Sequence, residues 1–63
     1  MNKKEMFEKL TDTFSREICF YLAAGFTFKQ IARILYEKGE ICYWERDLLA
    51  KGVEKYDYET GLN

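Results

Sequence analysis

The side chains that could do chemistry are few, and their types narrow the field at once. Histidine is absent, so the usual general base for work near neutral pH is missing. Cys19 and Cys42 stand far apart with no third metal-binding partner, which is not a zinc pattern. No glycine-rich phosphate loop and no serine nucleophile elbow occurs. Carboxylates meet only as neighbours, as in Glu37 and Glu40, and so short a chain has no room for the deep cleft that would make such a pair an acid and a base. Catalysis, a bound metal and a cofactor are therefore not expected. Recognition remains, through the cations Lys29, Arg33, Lys38, Arg46 and Lys51 and through five Phe, five Tyr and one Trp.

The elements that must position these groups turn on one corner, Gly25-Phe26-Thr27-Phe28-Lys29-Gln30-Ile31. The Thr27 hydroxyl can cap a helix start while Gln30, three residues on, reaches back to the Thr27 amide. Phe26 and Ile31 have the spacing of a hydrophobic staple, and Gly25 suits the left-handed residue that ends the preceding helix. Before the corner, Met6, Phe7, Leu10, Phe14, Ile18, Tyr21 and Leu22 recur in steps of three and four, which predicts an amphipathic helix over Lys3–Ala24. The stripe passes in phase through Thr11-Asp12-Thr13, which favours one helix. Those three residues are weak helix formers, however, and a cap at Asp12 would divide the segment into two.

After the corner, Phe28, Ile31, Ala32, Ile34 and Leu35 predict a second helix from Thr27 to about Lys38, stopped by Gly39. A third segment, Glu40 to Lys51, carries Ile41, Cys42, Trp44, Leu48 and Leu49 at helical spacing, with Gly52 as its stop. Residues 53–63 form an acidic, tyrosine-containing arm. The reading is an all-α fold, a small three-helix domain over residues 1–52 (four helices if the first segment breaks), with a helix-turn-helix-like corner.

At 63 residues, 48% of them hydrophobic, the chain makes one small domain. It buries only about 60% of its unfolded surface. Completing the core by pairing, as a homodimer, is expected. Net charge is −1 but unevenly spread: six basic against four acidic side chains in residues 1–35, and four against seven in 36–63. No run spans a bilayer and no signal-peptide pattern opens the chain, so no membrane partner and a cytoplasmic location are expected. In that reducing compartment both cysteines are expected as buried thiols.

The corner also has a familiar context. Ala24-Gly25-Phe26-Thr27-Phe28-Lys29-Gln30-Ile31-Ala32-Arg33-Ile34-Leu35 resembles the G-L-S/T-x-x-x-L/I-A-x-x-L segment of bacterial and phage helix-turn-helix proteins, in both the phage-repressor (Xre-like) and LuxR-like families. Ile41-Cys42-Tyr43-Trp44-Glu45-Arg46 is similar to the I-S-x-W-E-R end of a repressor-like recognition helix. The resemblance covers residues 24–46. It implies that Ala32 lets two helices approach closely over a small core of Ile31, Leu35 and Ile41. The spacing from Leu35 to Ile41 is one residue shorter than in the repressor pattern, and Tyr36-Glu37-Lys38-Gly39 replaces its G-V-S turn.

Two readings follow. In the first, the chain is a small, dimeric DNA-binding transcriptional regulator. Thr27, Lys29 and Gln30 then meet phosphates at a helix start, Tyr43 and Arg46 read bases, and Lys38 and Lys51 add charge along the same face. The segment that would enter the groove also carries Glu37, Glu40, Glu45 and Asp47, and carboxylates oppose phosphate binding. The second reading therefore makes the chain a protein-binding inhibitor or antirepressor of a phage or mobile element, including an anti-defence protein. Its contact surface is then acidic and aromatic: Tyr36, Glu37, Glu40, Tyr43, Trp44, Tyr56, Asp57 and Tyr58.

Overall fold

The structure, a computed structural model, describes residues 2–55, with side chains described through Gly52. It contains α1 (Lys3–Thr13), α2 (Ser15–Ala23), α3 (Phe28–Glu37) and α4 (Tyr43–Lys55), with no strand among the described residues. The all-α class holds. α4 lies against both α3 and α1, and α2 packs on α3 and α1.

The single helix favoured over Lys3–Ala24 is in fact two, divided at Phe14 (φ −106°, ψ 23°). Local chemistry explains the break. The Thr11 hydroxyl donates to the Glu8 carbonyl at 2.9 Å, a back-bond that bends helices, in a stretch that holds its helix weakly. No side chain caps α2, so Asp12 does not play that part. The Phe14 amide still donates to the Leu10 carbonyl (3.0 Å), and the Ile18 amide to the Phe14 carbonyl (2.9 Å). The chain therefore changes direction without losing these backbone bonds, and the apolar stripe stays in phase across the bend.

The corner forms as its residue types dictate. Gly25 adopts φ 96°, and the Phe26 and Gly25 amides close back on the Tyr21 and Leu22 carbonyls at 2.9 and 3.0 Å. This is a Schellman closure, and its usual apolar contact is present: the Phe26 ring lies edge-on to Tyr21, 5.6 Å between centroids. Thr27 then caps α3. Its hydroxyl accepts from the Gln30 amide (3.2 Å), and the Gln30 side-chain oxygen accepts from the Thr27 amide (2.9 Å). A second closure of the same type ends α3. Gly39 (φ 78°) donates to the Tyr36 carbonyl and Glu40 to the Leu35 carbonyl, both at 3.0 Å.

The core comprises Phe7, Leu10, Ile18, Phe28, Ile31, Ala32, Leu35, Ile41 and Leu49, with Phe14, Tyr21, Leu22, Leu48 and Ala50 packed at its margin. Each large member stabilises the fold by roughly 1.5–3 kcal/mol through burial. Ala32, Ile31, Leu35 and Ile41 sit inside this core.

Three expectations about the back half are corrected. α4 begins at Tyr43, not Glu40, because the Schellman closure holds Glu40 outside any helix and Ile41 must first dip into the core. Gly52 does not end α4, which continues to Lys55. It is buried within the helix against the Phe7 ring, where a Cβ would fall 2.9 Å from Phe7 Cγ and closer still to Cδ1 and Cε1. Its missing side chain is what lets α1 and α4 approach. The cysteines are exposed thiols, not core residues. Cys42 sits in the turn before α4, where its amide donates to the Glu45 carboxylate (2.9 Å) and its carbonyl accepts from the Arg46 amide (2.9 Å). Those are N-cap bonds, at a position where the repressor pattern has serine. Tyr56, Asp57 and Tyr58, and with them most of the expected arm, lie outside the described residues.

Candidate functional site

A cleft of about 550 Å³ opens between α3 and α4. α3 contributes Lys29, Arg33 and Glu37, spaced one turn apart, together with Tyr36. From α4 come Arg46, Asp47, Ala50 and Lys51, which helical spacing likewise sets on neighbouring stripes. The capping box fixes where α3 starts, and the second Schellman closure fixes how α4 returns beside it. Four cations thus meet along a cleft that holds two carboxylates, in a chain whose net charge is −1.

Inside the cleft, Arg33 Nε pairs with Glu37 Oε1 at 3.0 Å and Arg46 Nε with Asp47 Oδ1 at 3.6 Å. The first pair is well exposed, 78% and 61%, so it contributes little and a competing anion displaces it at small cost. Arg46 is held more firmly, with its guanidinium carbon 4.5 Å from the centre of the Tyr36 ring. Lys29 and Lys51 make no ion pair among the described residues.

Of the residues expected to meet DNA, Lys29, Arg46 and Lys51 are brought together here. Thr27 and Gln30 flank Lys29 at the head of α3 without lining the cleft, and each is engaged by the other in the cap. Lys38 is separated from the group. It ends α3 and pairs with Glu40 at 3.4 Å, and that hydrogen bond and charge, with a smaller contribution from Tyr21, raise its pKa above the ordinary 10.5. Tyr43, 66% exposed at the first residue of α4, lines neither this cleft nor the α1–α4 groove. Arg33 was legible only as one of several cations. Its place one turn after Lys29 is the signal that joins it to the cleft.

The described members of the acidic aromatic set are divided among two grooves, a turn and the head of α4. Tyr36 and Glu37 lie in the α3–α4 cleft and Glu40 is tied to Lys38. Trp44, 44% exposed, belongs to a different groove of about 360 Å³ between α1 and α4, lined also by Lys3, Met6, Leu48 and Lys51. Among the described residues no cluster of His, Cys, Asp and Glu could hold a metal ion, and no helix is long and apolar enough to cross a membrane. Comparisons with protein-family models, with curated proteins and with solved structures find no match to this chain.

Proposed function

We propose that the protein is a small DNA-binding regulator that sets the α3–α4 cleft against the backbone of duplex DNA. One observation carries the reading: Lys29, Arg33, Arg46 and Lys51 converge on one face of a chain that is otherwise slightly acidic. Phosphate neutralisation dominates affinity for duplex DNA, and the exposed Glu37 and Asp47 pairs yield readily to phosphates. Arg46, steadied on the Tyr36 ring, is the group best placed to read a guanine edge. The corner's resemblance to helix-turn-helix proteins supports the same reading.

Fluorescence anisotropy with a labelled duplex tests it. Four phosphate contacts give a slope of log K against log salt of about −3.6, or roughly a hundredfold weaker binding at 200 than at 50 mM salt. Lys29→Ala and Lys51→Ala should each reduce the slope by about 1, whatever the sequence of the duplex. No anisotropy change at 50 mM salt with protein near 10⁻⁴ M, about the weak end of non-specific binding, refutes the proposal.

The α1–α4 groove favours a second reading, an inhibitor or antirepressor that binds a protein through Trp44, Met6 and Leu48. Trp44→Ala separates the two: it leaves anisotropy titrations unchanged if DNA lies in the α3–α4 cleft.

A further inference from the structure

The groove between α1 and α4 sets apolar surface beside unpaired cations. Met6 and Leu48 are half-buried in it, and Trp44, the chain's only tryptophan, is 44% exposed there. Lys3 and Lys51 make no ion pair among the described residues, whereas the Asp47 carboxylate is already held by Arg46 at 3.6 Å. The charge left over in the groove is positive. The chain that follows α4 has the complementary character. Residues 56–63, outside the described residues, read Tyr-Asp-Tyr-Glu-Thr-Gly-Leu-Asn: two phenol rings, a leucine, two carboxylates and no cation.

We infer that this C-terminal segment docks in the α1–α4 groove of its own chain. Tyr56, Tyr58 and Leu62 then cover Met6, Trp44 and Leu48, while Asp57 and Glu59 lie near Lys3 and Lys51. The reach is sufficient. α4 ends at Lys55, one turn past Lys51 and Gly52, so the groove begins beside the point where the segment starts. Trp44, at the far end, stands eleven residues before Lys55, about 16 Å along the helix. Eight extended residues cover about 26 Å, enough for a reversal and the return. Attachment supplies the affinity. A short tether holds the segment at a millimolar effective concentration, so even a contact with a millimolar dissociation constant is half formed. Exposed ion pairs add little, so the rings carry the contact and the carboxylates favour a groove with free cations. The α3–α4 cleft is richer in cations, but its Tyr36 ring is already covered by Arg46. A separate protein that binds through Trp44 must first displace the segment.

Trp44 fluorescence reads this groove directly in the full chain, because no other tryptophan contributes. Tyr56→Ser, Tyr58→Ser and Leu62→Ser together should red-shift its emission and steepen its quenching by acrylamide, with helical circular dichroism unchanged. Asp57→Asn with Glu59→Gln should give a smaller shift in the same direction, and so should Lys3→Gln with Lys51→Gln. Raising salt to about 1 M, where the Debye length is about 3 Å, should do the same to the wild-type chain. The direct signature is a nuclear Overhauser contact between the Trp44 indole and the ring of Tyr56 or Tyr58 that persists on dilution. Emission and quenching that ignore the triple substitution overturn the inference and leave the groove open to a separate protein. Contacts that vanish on dilution overturn it too, since the segment then fills the groove of a second copy.

Discussion

Replacing Gly52 by alanine should destabilise the protein, although the substitution lies inside a helix. On local grounds alanine is the better residue there by roughly 1 kcal/mol. The tertiary contact works the other way. The new Cβ would fall within the Phe7 ring, 2.9 Å from Cγ and nearer to Cδ1 and Cε1. Phe7 is fully buried and has no solvent to swing into, so either its ring leaves a good rotamer or α1 and α4 separate. Overpacking costs about 1–3 kcal/mol, and three ring atoms closer than 3 Å put this case at about 2–3, which leaves a net loss of about 1–2 kcal/mol after the propensity gain. A domain of this size loses about 4–8 °C per kcal/mol, so Tm should fall by about 4–16 °C.

Thermal melts followed by circular dichroism, with urea titrations for the free energy, measure the effect. Phe7→Leu provides the internal check. The double variant Phe7→Leu, Gly52→Ala should be more stable than the sum of the two single losses allows, with a coupling of about 0.5–3 kcal/mol. A Gly52→Ala protein that melts at or above the wild-type temperature refutes the argument. Helix propensity would then outweigh the contact, and α1 and α4 would not meet through this glycine.

Two smaller perturbations probe the corner and its neighbour. Thr27→Ala removes the α3 cap and should cost about 1 kcal/mol in urea titrations, with Gln30→Ala costing less because the hydroxyl bond survives. An unchanged midpoint for Thr27→Ala would mean that the capping box contributes nothing to stability. The Lys38 pKa is raised by Glu40, so the pair's contribution is complete below about pH 10.5 and fades as pH rises through the folded-state value. Lys38→Gln should therefore melt slightly below wild type in neutral buffer, and the two curves should converge at strongly alkaline pH. A gap that persists there shows that Lys38 acts through packing instead.

The corner was legible because every hydrogen bond that makes it joins residues no more than five apart. Thr27 and Gln30 are three apart, Gly25 precedes them, and their hydrogen bonds close locally whatever the rest of the chain does. The inner face of α3 was legible for a related reason, since helical spacing alone puts Phe28, Ile31, Ala32 and Leu35 on one side. The break at Phe14 was harder. An in-phase apolar stripe looks the same through a bend as through a straight helix, and the bond from Thr11 to Glu8 that tips the balance has no distinctive signature.

The candidate site divides along the same line. Sequence by itself determined which cations and aromatic rings were on hand, where α3 starts and stops, and that the usual catalytic groups are missing. Only the tertiary structure decided that Lys29 and Arg33 share a cleft with Arg46 and Lys51 while Lys38 turns away to Glu40, and that Trp44 opens towards α1. It also decided that Gly52 is a contact with Phe7, from the opposite end of the chain, and not a stop signal. The physical reason is range. Caps and turns are closed by hydrogen bonds between near neighbours, whereas which side of a helix meets solvent is settled by what packs against the other side.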